Sequence, residues 1–263
     1  MTSAAPDPLV RVETGRGLAT LTLDSPANRN ALSHRLMAEL TAALTAAVAD
    51  DAVRVVVLSH TGPAFCSGAD LKETAAAFDS PGELPVSLLG DVLAALWECP
   101  KPVVARVGGA ARAGGLGLIA AADIAVCAED ATFAFSEVRL GVIPAVISAT
   151  VLRRLAPRDA AELYLTGDVF DGRRAADIGL VTATAPAASL DVTVAAYCDA
   201  LVRGGPQALA GVKRLLARPL AATVRDDLDD LARLSADYFR SPEGVEGVTA
   251  MREKRPPNWV TSD

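Results

Sequence analysis

The sequence predicts an α/β fold with an appended helical layer. It opens on a β-hairpin pattern, continues through repeated strand–turn–helix units, and becomes almost wholly helical from Ser148 onward. No composition break marks a second independent domain. Residues 1–195 read as the core and 196–263 as a helical region of the same functional unit.

Val10 to Val12 and Leu18 to Leu23 alternate apolar and polar residues around Thr14-Gly15-Arg16-Gly17, which predicts the hairpin. Leu36, Leu40, Leu44 and Val48 fall on one face of a helix over 32–48, with Asn30 or Ser33 available as its cap. Val53 to Leu58 is mostly β-branched, as expected of a strand buried on both faces. A turn of small residues over 62–70 follows, then a helix over 71–78. The polar stretch from Asp79 to Pro85, broken by two prolines, reads as a mobile loop. A helix over 86–97, a strand over 102–107, a helix over 114–122 and a short strand over 124–127 complete the units.

Composition excludes several classes of function. With 263 residues, 51% of them apolar, the chain can bury a sizeable core. A formal charge of -7 argues against nucleic acid, whose phosphates need clustered Lys and Arg. Two small basic clusters, Arg153 with Arg154 and Arg158, and Arg252 with Lys254 and Arg255, read either as solvated helix faces or as seats for a small phosphorylated ligand. The four cysteines lack CxxC spacing and the two histidines do not complete a zinc set, so no metal is expected. The start lacks a secretory pattern and no apolar run is long enough to span a bilayer, so a cytoplasmic protein with no membrane partner is expected.

The turns over 62–70 and 108–115 each follow a buried strand and precede a helix. Such turns leave backbone N–H groups unpaired at a helix start, and two of them can meet on one negatively charged atom. The competing readings are close helix–sheet packing by small residues and a dinucleotide site. Gly115-Leu116-Gly117-Leu118-Ile119-Ala120 matches G-x-G-x-x-A, but its acid, Glu137, does not end the very next strand as that motif requires.

Together these segments resemble the crotonase superfamily, the enoyl-CoA hydratases and isomerases. The resemblance rests on Asn28-Arg29-Asn30-Ala31-Leu32, Ala64 to Glu73, Lys101 to Ala105, Val107 to Asp123, Phe135 to Pro144, and the ending from Glu246 to Trp259. They fall in the family's order over nearly the whole chain. The resemblance implies a spiral of repeated ββα units, a C-terminal helical trimerisation region, and an acyl-CoA thioester as substrate. Coenzyme A then enters as part of the substrate, no separate cofactor is expected, and a homotrimer or a dimer of trimers is implied. Carried over by position, the N–H groups of Ala69 and Gly114 form an oxyanion hole. Arg29, Ala31, Ser67, Gly68 and Leu71 line the coenzyme A, and Lys254 and Trp259 lie in the tail that reaches a nucleotide.

One position departs from the family pattern. Hydratases resembling this chain carry two glutamates; the second is present as Glu137, while the first position holds Gly117. Two carboxylates let one group activate water while the other delivers a proton. With one, Glu137 hydrates alone, shuttles a proton as an isomerase, or serves a weakly active site that binds acyl-CoA. The run Ser136 to Ser148 resembles the bacterial methylglutaconyl-CoA hydratase branch, which ranks hydratase first. Phe135, Leu140 and Ile143, near Glu137 in sequence, predict an apolar pocket that raises its pKa. Asp70 is expected to cap the following helix, and Arg112 is expected to face solvent, with pairing to a second substrate carboxylate as its alternative.

Overall fold

The computed structural model describes residues 7–76 and 86–260; the predicted loop over 79–85 lies outside them. Strands β1 (Val10–Gly15) and β2 (Leu18–Leu23) form the antiparallel hairpin, Val10 opposite Leu23. Helix α1 (His34–Ala49) is capped by Ser33, whose Oγ accepts a hydrogen bond from Leu36 N at 3.1 Å. Its buried face holds Leu36, Met37, Leu40 and Leu44.

The chain continues through β3 (Val55–His60), β4 (Ala64–Cys66), α2 (Leu71–Ala76), α3 (Val86–Trp97), β5 (Val103–Val107), β6 (Ala110–Arg112), α4 (Gly114–Ala121), β7 (Ile124–Ala128) and β8 (Thr132–Ala134). A 3-10 turn over Ser136–Leu140 leads to α5 (Ser148–Val151), α6 (Pro157–Thr166), β9 (Phe170–Asp171), α7 (Gly172–Asp177) and β10 (Ala183–Ala185). Helices α8 (Leu190–Val202), α9 (Pro206–Ala217), α10 (Val224–Arg240) and α11 (Pro242–Glu253) end the chain.

The strands form two sheets, a 6-stranded one in the order β1-β2-β3-β5-β7-β10 and a 4-stranded one in the order β4-β6-β8-β9. Successive units give one strand to each: β3 then β4, β5 then β6, β7 then β8. That is the ββα repeat the resemblance implies. Within each sheet these strands pair parallel, β3 to β5 to β7 and β4 to β6 to β8. Parallel strands covered on both faces need apolar residues at every position, and β3 is buried along its whole length.

The turn predicted over 62–70 contains β4, and β6 lies within the second turn; at three residues each, neither carries a readable alternation. The helical last third is interrupted by β9 and β10. Helix α8 crosses residues 195–196 and buries Leu190, Val194 and Cys198.

Candidate active site

Three neighbouring strand ends build the site. Beyond the C-terminal end of β4 comes Ala69, beyond β6 comes Gly114, and beyond β8 comes Glu137. Because β4, β6 and β8 run parallel and adjacent, these residues leave the small sheet at the same edge.

Ala69 is held by a parallel bridge to Leu32, in which Leu32 N donates to Gly68 O at 2.8 Å and Asp70 N donates to Leu32 O at 3.3 Å. In that pattern the bonds fall on the residues flanking Ala69, so its own N–H faces the opposite edge. It has no partner among the described residues. Gly114 opens α4, where a backbone N–H has no intrahelical acceptor. Ala113 N donates to Ala134 O at 3.2 Å, tying this turn to the end of β8.

Gly68 brings the turns together. A Cβ on Gly68 would lie 2.9 Å from Ala113 Cβ and 3.7 Å from Gly114 N, and Gly68 has a φ of +90°. Ala113 has φ 48° and ψ -117°, a conformation costing a non-glycine residue on the order of 1–3 kcal/mol. Strain of this kind persists where surrounding structure enforces it, here between β6, β8 and α4.

Glu137 sits on the 3-10 turn and is 8% exposed. Its Oε2 is buried without a hydrogen-bond partner among the described residues. Burial pushes the carboxyl above the usual range, against a smaller opposing effect from its own backbone N–H. Phe135 is fully buried beside it in sequence, as expected. Leu140 and Ile143 correct the expectation, being 61% and 78% exposed. The apolar surroundings come instead from the packed side, where α6 covers the turn: the Phe135 and Tyr164 rings lie 4.6 Å apart.

The remaining predicted residues separate into two groups. Ser67 N donates to Arg29 O at 3.0 Å, so Arg29, Ala31, Ser67, Gly68 and Leu71 lie along two paired segments beside Ala69. Lys254 is exposed at the end of α11. Trp259 is anchored elsewhere in its own chain, its Nε1 donating to Arg203 O at 3.1 Å and its carbonyl accepting from Arg54 at 2.8 Å. No described hydrogen bond joins Lys254 or Trp259 to the paired segments.

Asp70 caps α2 as expected, its Oδ1 accepting from Lys72 N at 2.9 Å and Glu73 N at 3.2 Å. Arg112 is half-buried rather than free in solvent: its guanidinium donates to Thr132 O at 2.5 Å and to Thr132 Oγ1 at 3.1 Å, lacing β6 to β8. Sequence reasoning missed Asn30 as an organiser. It is fully buried with φ 55°, its Oδ1 accepts from Ser25 N, and its Nδ2 donates to Thr61 O and Ala64 O. The signal was available, because Asn tolerates left-handed backbone better than most residues.

The glycines of the G-x-G-x-x-A run are packed rather than open. Every residue of α4 is buried, and a Cβ on Gly115 would lie 2.9 Å from Cys66 Cβ and Cys66 O. A Cβ on Gly117 would lie 2.7 Å from Ile147 Cγ2. They serve helix–sheet packing and leave no room for a pyrophosphate. Cys66 is no nucleophile either, since burial pushes its thiol up to about 12.

Two sheets built from ββα repeats define the class of the fold, and three adjacent strand ends of the smaller sheet carry Ala69, Gly114 and the buried Glu137. Residues 13–262 match the model of the enoyl-CoA hydratase/isomerase family. The chain belongs to that family.

Among solved structures, an enoyl-CoA hydratase from Mycobacterium avium is 44% identical, with 96% of this chain and 99% of that chain covered and a TM-score of 0.72. An enoyl-CoA hydratase from Mycobacterium smegmatis is 33% identical, with 97% and 100% covered and a TM-score of 0.87. A peroxisomal Delta(3,5)-Delta(2,4)-dienoyl-CoA isomerase from Arabidopsis thaliana is 31% identical over 269 residues, 96% of each chain.

Proposed function

We propose that the protein is an enoyl-CoA hydratase in which Glu137 is the only acid/base. The observation that carries this reading is a buried carboxylate leaving the same sheet edge as two backbone N–H groups, its Oε2 and both N–H groups without a partner among the described residues. Glu137 takes a proton from water, the hydroxide adds at C3 of the unsaturated thioester, and the electron pair moves to the thioester oxygen. The N–H groups of Ala69 and Gly114 hold that oxyanion. Glu137 then returns its proton to C2. Fixed donors placed where charge develops contribute roughly 3 to 4 kcal/mol each to lowering the barrier.

The coenzyme A lies along Arg29, Ala31, Ser67, Gly68 and the exposed side chain of Leu71, with Lys254 and Trp259 serving a nucleotide from the tail. Helix α10 supports assembly into trimers or a dimer of trimers, because Val224, Leu228 and Phe239 are exposed apolar side chains there.

A second reading, proton transfer between C2 and C4 as an isomerase, is favoured by one observation. Ile147 fills the space a side chain at Gly117 would take, so α4 offers no second carboxylate beside Glu137.

Crotonyl-CoA, a 3-enoyl-CoA and 3-methylglutaconyl-CoA incubated in deuterated water distinguish the two. Gain of the mass of water with deuterium at C2 supports hydration; a 2-enoyl product with no added water makes the protein an isomerase. Turnover far below about 1 per second on all three would leave an acyl-CoA-binding homologue with weak activity.

A further inference from the structure

At the end of α4 opposite Gly114 lies a cavity of about 630 Å³, reached from the surface beside Ala121 and Asp123. With a rise of about 1.5 Å per residue, α4 places this cavity about 10 Å from the oxyanion turn. Its wall carries four cationic side chains, Arg153, Arg154, Lys213 and Arg218, and one carboxylate, Asp123. That balance stands out on a chain whose formal charge is -7.

Two of the cations are neutralised. Lys213 pairs with Asp123 at 2.5 Å, and Arg218 with Asp227 at 2.5 Å. The two arginines form no ion pair among the described residues. Arg154 is fixed by donating from Nε to Ala120 O at 3.0 Å and from Nη2 to Ala122 O at 2.9 Å, which satisfies carbonyls at the end of α4. Arg153 donates only from Nε, to Ala149 O at 3.0 Å, and both of its terminal nitrogens are without partners among the described residues. Both guanidinium groups lie over the Trp97 ring, at 5.9 Å and 4.8 Å from its centroid. The aromatic face holds the pair of like charges together.

Fixed guanidinium groups with spare donors suit phosphate oxygens. Beside them Trp97, Leu216 and Pro219 offer apolar surface to a flat body, and the volume lies in the range of small-molecule sites. We propose that this cavity binds a small phosphorylated ligand of the nucleoside diphosphate class, at a site separate from the oxyanion turns.

The test is titration of the full chain with ADP at low ionic strength, with acetyl-CoA at saturation so that the nucleotide seat at Lys254 and Trp259 is already filled, read by calorimetry and by tryptophan emission. Expected are saturable binding of one ADP per chain, weakening by about tenfold or more in Arg153→Glu, and an emission change that Trp97→Phe removes. Arg153→Glu should melt at the wild-type temperature, because the lost Nε bond lies on an exposed side chain. No saturable binding at millimolar ADP, equal affinity in Arg153→Glu, or an emission change that persists in Trp97→Phe would each overturn the assignment. Pyrophosphate provides the last arm: weaker binding than ADP supports a seat for the nucleoside, and equal binding overturns that part.

Discussion

Ile147 stands where a side chain on Gly117 would begin, its Cγ2 lying 2.7 Å from the ideal Cβ position and its Cβ 3.0 Å away. Leu93 closes the other side at 3.3 Å. Ile147 is buried and branched at Cβ, which carries the offending methyl, so it cannot swing clear. Gly117→Ala should therefore destabilise the protein by about 1–3 kcal/mol through overpacking. Adding Ile147→Ala removes the nearest methyl, and the double variant should lose less than the sum of the single losses. Denaturant midpoints of the four proteins measure that coupling; strict additivity would show that the two side chains do not compete for one space.

Glu137→Gln keeps the shape of the site and removes its acid/base. Turnover should fall by about 10²- to 10⁴-fold, while stability at neutral pH stays level or rises. The sign follows from burial, which raises the carboxyl above 4.5 in the folded chain. Its contribution to stability is full below that value and is lost as pH rises through the folded pKa. Wherever the pH exceeds the raised folded pKa, the wild type holds a buried charge that the amide lacks. Kinetics together with a melting curve at pH 7 check both halves, and a large drop in melting temperature would contradict the argument.

The long apolar runs, β3 and β5, and the periodic helices α1 and α3 were legible because each repeats its pattern over enough residues to show a period. The small sheet was not legible, since β4, β6 and β8 are three residues long. Yet these short strands deliver Ala69, Gly114 and Glu137 to one edge. The candidate residues could be named from the family resemblance of their motifs, but their convergence depends on long-range parallel pairing that no local pattern encodes. The same limit explains Arg112, whose partner Thr132 lies on the neighbouring strand.

Gly68 joins the two turns at a point with no spare room. Its φ of +90° and the 2.9 Å approach to Ala113 Cβ both oppose any side chain. Gly68→Ala should shift Ala69 relative to Gly114, and a misplacement of about 1 Å can cost about 10²-fold in rate. The expected signature is a fall in kcat larger than the rise in KM, because the oxyanion is fully developed only in the transition state. A change in KM alone would place Gly68 in substrate binding rather than in positioning the donors.

His60 ties the end of β3 to the second turn in a form that requires a neutral ring. Its Nε2 accepts a hydrogen bond from Gly108 N at 2.9 Å, which an imidazolium cannot do. Burial holds its pKa below the ordinary 6.5, and the neighbouring Arg106 charge acts in the same direction. The stability this residue contributes is full above 6.5 and is lost as pH falls from there through the depressed folded value. His60→Gln can keep an acceptor near Gly108 without a titrating group. Melting temperatures of both proteins from about pH 7.5 to about pH 5 should therefore converge as the pH falls, the wild type losing more. Glu137 acts in the opposite direction in both proteins and cancels from the comparison. Parallel curves would show that His60 remains neutral across the range or releases Gly108 without cost.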